Sequence, residues 1–152
     1  MKTIDLIDKY EDDVTLVNMS NFTLFGQKRE FHGEIVTVKT FEDNTKAKGL
    51  LYTNGKGKVL VVDGEGSYGR ALMGDKVAAI AIENGWSGVI IYVCIRDSVD
   101  IQKMAIGVLA LSATPRRPVR NDIGTVGELL KFSNAEFRAG NFVYLDDDGM
   151  LL

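Results

Sequence analysis

Arg96 and Asp97 stand side by side just after the apolar run Gly88 to Val93, GVIIYV. A guanidinium stays protonated and can hold an anion. A carboxylate next to it can hold a hard metal ion. Ends of strands in open α/β sheets are where ligands bind, so the position suits both tasks. The same two letters allow a simpler reading, in which Asp97 caps a helix Ser98 to Met104 and Arg96 makes a surface ion pair. Gly74-Asp75-Lys76-Val77 opens another candidate helix, whose free N–H groups and dipole would suit a substrate carboxylate. There too Asp75 could simply cap the helix.

Other residue types narrow the chemistry. His32 is the only histidine and Cys94 the only cysteine, which excludes a zinc site of the His/Cys kind. A metal would be held by oxygen, which favours magnesium or manganese. His32 has no serine or cysteine context suggesting a triad. Cys94 reads as a small core residue. Asp63 to Gly69, DGEGSYG, contains G-x-G-x-x-G after a candidate strand. In a dinucleotide fingerprint the glycines open directly into a helix, whereas here Arg70 to Met73 intervene. The run reads better as a loop that lets backbone approach a ligand or a neighbouring subunit. Asp146-Asp147-Asp148-Gly149 reads as a turn between strands. Arg116, Arg117 and Arg120 read as a solvated loop or as a contact for an anion.

These residues need elements to position them. Lys58 to Asp63, KVLVVD, and GVIIYV are candidate strands buried on both faces. Gly33 to Phe41 alternates like a strand, and Gly107 to Leu111 is a short one. Asp75 to Asn84 is the clearest helix, stopped by Gly85. A first helix is expected at Ile4 to Tyr10, capped by Thr3, with Ile4, Ile7 and Leu6 as candidates for its inner face. Asp43 to Tyr52 is a further candidate helix, and Asn18 to Glu30 reads mostly as loop. After Pro118, short strands are expected at Gly127 to Phe132, Glu136 to Arg138, Asn141 to Leu145 and Met150 to Leu152. A βαβαβ half followed by a β-rich half reads as one α/β domain with an added β layer.

Composition agrees. The 152 residues suffice for one domain, with 45% apolar and 26% charged residues. A net charge of −3 argues against non-specific nucleic-acid binding. One cysteine forms no intrachain disulfide, so a reducing cytoplasm is the simplest expected location. The N-terminus lacks the apolar core of a signal peptide, and no apolar run is long enough to span a membrane.

The order of motifs is itself informative. KVLVVDGEGSYGRALMGDKVAAIAIENGWSGVIIYVCIRD, then IGVLALSATPRR, then FRAGNFVYLDDDGMLL, closely resembles the RraA-like family, as does FEDN at Phe41 to Asn44. The resemblance runs through nearly the whole chain. It implies a swivelling β/β/α domain over residues 1–152, assembled as a ring-shaped trimer. It implies one of two functions: regulation of ribonuclease E, or metal-dependent 4-hydroxy-4-methyl-2-oxoglutarate aldolase activity with oxaloacetate decarboxylation. In the enzymes, the positions matching Gly74, Asp75, Lys76, Val77 and Arg96 bind substrate, and the position matching Asp97 binds the divalent metal, Mg2+ or Mn2+. Arg96 and Asp97 are thus the expected catalytic pair. Regulators can lack that carboxylate, so its presence favours the lyase and a small 2-oxo acid substrate. In such a trimer the glycine loop Gly64 to Gly69 would reach a neighbouring active site. Two positions depart from the family pattern: Val93 and Glu65 stand where glycine is common. Val93 is expected to narrow the site, and Glu65 to repel an anion or add a metal ligand. The C-terminal extension of longer aldolases is also absent, and with it any group that extension supplies.

Overall fold

The computed structural model describes residues 2–152. Helix α1 (Thr3–Tyr10) leads to β1 (Leu16–Val17), β2 (Thr23–Leu24) and β3 (Phe31–Lys39). Helix α2 (Thr45–Leu51), β4 (Lys58–Asp63), β5 (Ala71–Met73) and α3 (Asp75–Glu83) follow. Next come β6 (Gly88–Ile95), α4 (Ser98–Gln102) and β7 (Gly107–Ala113). The chain ends with β8 (Thr125–Val126), β9 (Leu130–Phe132), β10 (Ala135–Phe137), β11 (Phe142–Leu145) and β12 (Met150–Leu151).

Strands β3, β4, β6 and β7 run parallel and adjacent, as helical crossovers require. Antiparallel strands extend this centre: β11, β12 and β1 beyond β3, and β2 beyond β7. Short β8 pairs with the end of β3, and β5 lies parallel to the end of β6. The β9–β10 hairpin forms a separate small layer.

The central strands are almost wholly apolar because both faces of the sheet are covered. Leu60 and Val62 of β4 join Val89, Ile91, Val93 and Ile95 of β6 on the helical side. There they meet Ala47 and Leu51 of α2, Ala78 and Ala81 of α3, and Ile101 of α4. Val59, Val61 and Ile90 point the other way, toward Leu130, Phe132 and Phe137 of the hairpin. The two-residue period of a strand thus divides one run between two cores. Each fully buried Val, Leu or Ile contributes about 1.5–3 kcal/mol. The expected β layer exists, giving helices, sheet and hairpin in three layers.

The N-terminus differs from expectation. Thr3 lies within α1 and does not cap it, and its hydroxyl donates to Asp146 Oδ1 at 2.6 Å. Its N–H donates to Asp146 Oδ2 at 2.8 Å, so the cap comes from the far end of the chain. Leu6 is buried whereas Ile4 is exposed, because that long-range tie fixes the rotation of the helix. The Asp146 run is a turn as expected, closed by Asp146 N–H to the Gly149 carbonyl. Strands β1, β2, β5 and β8 fall where no strand was expected, each too short to show a period, and the strand expected at Gly127 to Phe132 is confined to Leu130–Phe132. No helix among the described residues is long and apolar enough to cross a membrane.

Candidate functional site

Two parallel strands end together. Strand β5 finishes at Met73 and β6 at Ile95, with Arg96 N–H donating to the Met73 carbonyl at 2.9 Å. Gly74 then opens α3, and Arg96-Asp97 opens the turn into α4. All six residues singled out by sequence line one cleft of about 360 Å³: Gly74, Asp75, Lys76, Val77, Arg96 and Asp97. It lies outside the carboxyl ends of the strands, where a parallel sheet binds ligands.

Asp97 does not perform the simple capping role. It precedes α4 but makes no side-chain cap there, and its backbone is left-handed, φ +56° and ψ +41°. Such a conformation costs energy in a non-glycine residue and is retained where the surroundings enforce it. Here it turns the carboxylate across to the neighbouring helix, where Oδ2 accepts the Asp75 N–H at 3.0 Å. The N-cap of α3 is Gly74, without a side chain of its own. A Cβ on Gly74 would sit 2.5 Å from Asp97 Oδ2, so only glycine leaves room for that carboxylate. The Asp75 N–H holds Asp97 below the usual carboxylate range against the opposing effect of burial. The Asp75 side chain, Arg96 and Lys76 add to the lowering.

Arg96 Nε lies 4.0 Å from Asp97 Oδ2, and both side chains are about one third exposed. Charge is therefore presented to the cleft rather than consumed in a tight pair. The N–H groups of Lys76 and Val77 precede the first intrahelical bond of α3, made by Ala78 to the Gly74 carbonyl. They remain available to an anion.

The cleft is also lined by Asn44, Pro118, Arg117 and Arg120, the two arginines coming from the cluster read in the sequence as a solvated loop or a contact for an anion. The arginine side chains are exposed, but the loop carrying them is fastened. Asp43, wholly buried, accepts the N–H of Thr45 and the N–H of Asn121. Val119 pairs with Glu42 and Asn44 through backbone bonds of 2.9 and 3.3 Å. Burial pushes the Asp43 carboxyl up, but the N–H donors of Thr45 and Asn121 outweigh it and hold it below its ordinary value. The FEDN segment, noticed only as part of a resemblance, is thus the clamp that brings Arg117 and Arg120 to the cleft.

Both departures from the family pattern lie outside the cleft walls. Val93 is fully buried in the helical-side core beneath Gly64, whose added Cβ would meet it at 2.6 Å. It does not narrow the site. Glu65 is exposed, in a left-handed turn tied by its N–H to Asp63 Oδ1 at 2.8 Å, and adds no ligand within this chain. The glycine loop runs into strand β5 rather than a helix, which removes the geometry of a dinucleotide fingerprint. Cys94 is buried, and burial pushes its thiol up, away from nucleophilic use. His32 stacks on Tyr144 at 5.4 Å on another face.

Among the described residues no three acidic, histidine or cysteine side chains converge as a metal cage. The donor set still fits a hard divalent ion. It is a part-exposed ionised carboxylate with all-oxygen chemistry, in a cleft open to water and substrate oxygens. Mg2+ is commonly bound by one or two carboxylates with waters completing its shell.

Comparison with known proteins bears on this geometry. A family model described as RraA-like, Aldolase/RraA, matches residues 3–152. A Vibrio cholerae protein named "Putative 4-hydroxy-4-methyl-2-oxoglutarate aldolase" is 47% identical over 150 residues, covering 99% of this chain and 92% of that one. One of the same name from Alcanivorax borkumensis is 48% identical over 149 residues, covering 98% and 93%. A solved structure described as the RNA-processing inhibitor RraA from Thermus thermophilus superposes with a TM-score of 0.96 at 38% identity, covering 100% of this chain and 92% of that one. Another, described as an S-adenosylmethionine:2-dimethylmenaquinone methyltransferase from Geobacillus kaustophilus, has a TM-score of 0.96 at 43% identity, covering 99% and 93%.

Proposed function

The chain belongs to the RraA-like family, and from that premise we propose that it is a divalent-metal-dependent class II aldolase. Its substrate is 4-hydroxy-4-methyl-2-oxoglutarate, cleaved to pyruvate, and it also decarboxylates oxaloacetate. The observation that carries this reading is the meeting of Arg96, Asp97 and the start of α3 around one cleft. The names of the relatives from Vibrio cholerae and Alcanivorax borkumensis support it.

Asp97 would hold the metal, Mg2+ or Mn2+, which when bound supplies Lewis-acid polarisation of the 2-keto group. The N–H groups of Lys76 and Val77, with the dipole of α3, receive the carboxylate beside that keto group. Cleavage breaks the C3–C4 bond and leaves an electron pair shared between C3 and the C2 oxygen. The Arg96 guanidinium offsets the charge that develops there. The C4 hydroxyl loses its proton as C4 becomes the keto carbon of one pyruvate. Protonation at C3 gives the other. Loss of CO2 from oxaloacetate generates the same charge, so one site serves both reactions. Arg117 and Arg120, which line the same cleft, would pair with the second carboxylate of either substrate.

The test measures pyruvate release from both substrates with Mg2+ or Mn2+, with and without chelator. The wild type is expected to exceed the free-metal background, and Asp97→Ala to lose the excess. Equal rates in wild type and Asp97→Ala contradict the proposal.

A second reading has its own support in the RNA-processing inhibitor from Thermus thermophilus, 38% identical. In that reading the chain regulates ribonuclease E by surface contact. It predicts ribonuclease binding that is unchanged in Asp97→Ala. The family's ring-shaped trimer is part of the proposal under either reading.

A further inference from the structure

The glycine loop lacks the geometry of a dinucleotide fingerprint, yet it is tied to the loop that carries the cleft's arginines. Arg70, directly after Gly69, donates from Nη1 to the Arg117 carbonyl at 2.8 Å. Its Nε lies 3.8 Å from Glu42 Oε1, with side chains only 26% and 21% exposed. The other Glu42 oxygen accepts the Ser67 hydroxyl at 2.6 Å, and the Ser67 oxygen accepts the Gly69 N–H at 3.0 Å. A Cβ on Gly69 would overlap Glu42 Oε2, so glycine makes room for that carboxylate. The Glu42 backbone is left-handed, φ +56°, a conformation retained where the surroundings enforce it. Its carbonyl accepts the Val119 N–H, and Ala71 N–H donates to the Arg116 carbonyl at 2.8 Å.

What these ties hold is part of the cleft. Residues 114–124 belong to no helix or strand, so such ties decide where their side chains start. Arg117 lines the cleft, and its guanidinium has no partner among the described residues. A cationic donor holds a carbonyl more strongly than a neutral N–H does. Glu42 offsets the charge that Arg70 brings to an arginine-rich loop. We propose that Arg70 is a positioning residue: by fixing the Arg117 backbone to the glycine loop, it sets the affinity of the cleft for a ligand's second carboxylate. This rests on the aldolase reading for the dicarboxylate substrate, but binding is separable from turnover.

The experiment compares two ligands by ligand-observed NMR with Mg2+: 2-oxoglutarate, and 2-oxopentanoate, which has the same chain length and no second carboxylate. Neither is turned over, since neither has a C4 hydroxyl or a carboxylate β to the keto group. Wild type is expected to bind 2-oxoglutarate about tenfold more tightly or better, as hydrogen bonds between charged groups allow. Arg117→Ala is expected to lower that preference about threefold or more. Arg70→Met, which keeps the apolar stem and removes the donors, is expected to lower it as well. In the double variant the preference is expected to fall no further than in Arg117→Ala alone, because one residue acts through the other. Arg70→Lys keeps the charge but lacks the planar fork that spans Glu42 and Arg117. Its preference is expected to fall too, by less than in Arg70→Met. A wild type without preference overturns the inference, as does a preference unchanged in both Arg70 variants. A merely structural role weakens both ligands equally and keeps their ratio, which also overturns it. So does a further fall in the double variant. A preference that exists and is lost, in a wild type that releases no pyruvate from either proposed substrate, leaves the positioning role standing while the aldolase reading falls.

Discussion

At Asp97, a left-handed backbone, a carboxylate aimed at the next helix and a glycine that makes room for it form one device. The device predicts that Gly74→Ala acts on chemistry rather than on folding. The new Cβ overlaps Asp97 Oδ2, so the carboxylate must move. A misplacement of about 1 Å can lower a rate by roughly 100-fold. Gly74→Ala is therefore expected to cost metal-dependent activity, read in the pyruvate assay, with little change in the thermal midpoint. Val93 predicts the opposite. Val93→Gly removes a fully buried side chain from the helical-side core and is expected to destabilise by about 2–4 kcal/mol in denaturant titration. KM is expected to be unchanged, because Val93 is not part of the cleft wall. The neighbours Arg96 and Asp97 were legible because both roles are carried by residue type. The contact between Asp97 and Asp75 spans 22 positions and leaves no local pattern to read.

Among the elements, the strands Lys58–Asp63 and Gly88–Ile95 and the helix Asp75–Glu83 announce themselves in the sequence. Each is long enough for an apolar run or a helical period to show, and tertiary packing agrees with that local preference. Strand β5 is three residues long and exists because β6 offers it an edge. The loop of Arg117 and Arg120 read as solvated or as a contact for an anion, because charged side chains suit both. What fixes it is the Asp43 carboxylate, 78 positions from Asn121. Removing that clamp by Asp43→Ala leaves two N–H groups without their acceptor. It is expected to cost about 1–3 kcal/mol and to raise KM as the arginines lose their place. Helix α1 is held in the same way by Asp146. Burial pushes the Asp146 carboxyl up, but the Thr3 hydroxyl and amide outweigh burial and hold it below its ordinary value. That contribution to stability is complete above about pH 4 and is lost as pH falls through the lowered pKa. Acid unfolding is thus expected to begin with undocking of α1. In Asp146→Asn the acid sensitivity below about pH 4 is expected to shrink, as checked by the pH dependence of the unfolding midpoint.

For the molecule as a whole, one sheet presents a helical face and a β-covered face, with the cleft at the ends of its parallel strands. Phe41, Ile123 and Val126 are exposed near the end of β3, and Tyr68 is exposed on the glycine loop. The proposed trimer gives such residues a role, and light scattering is expected to return three times the 16.7 kDa chain mass. The central claim concerns a cation and a 2-oxo acid held by one neighbouring pair of residues. Mn2+ binding followed by electron paramagnetic resonance, with and without oxalate as a mimic of the cleaved fragment, tests it most directly. Wild type is expected to bind Mn2+ weakly alone and more tightly with oxalate. Arg96→Ala is expected to keep the weak binding and lose the enhancement, and Asp97→Ala to lose both. Binding and enhancement that persist unchanged in Asp97→Ala contradict the account.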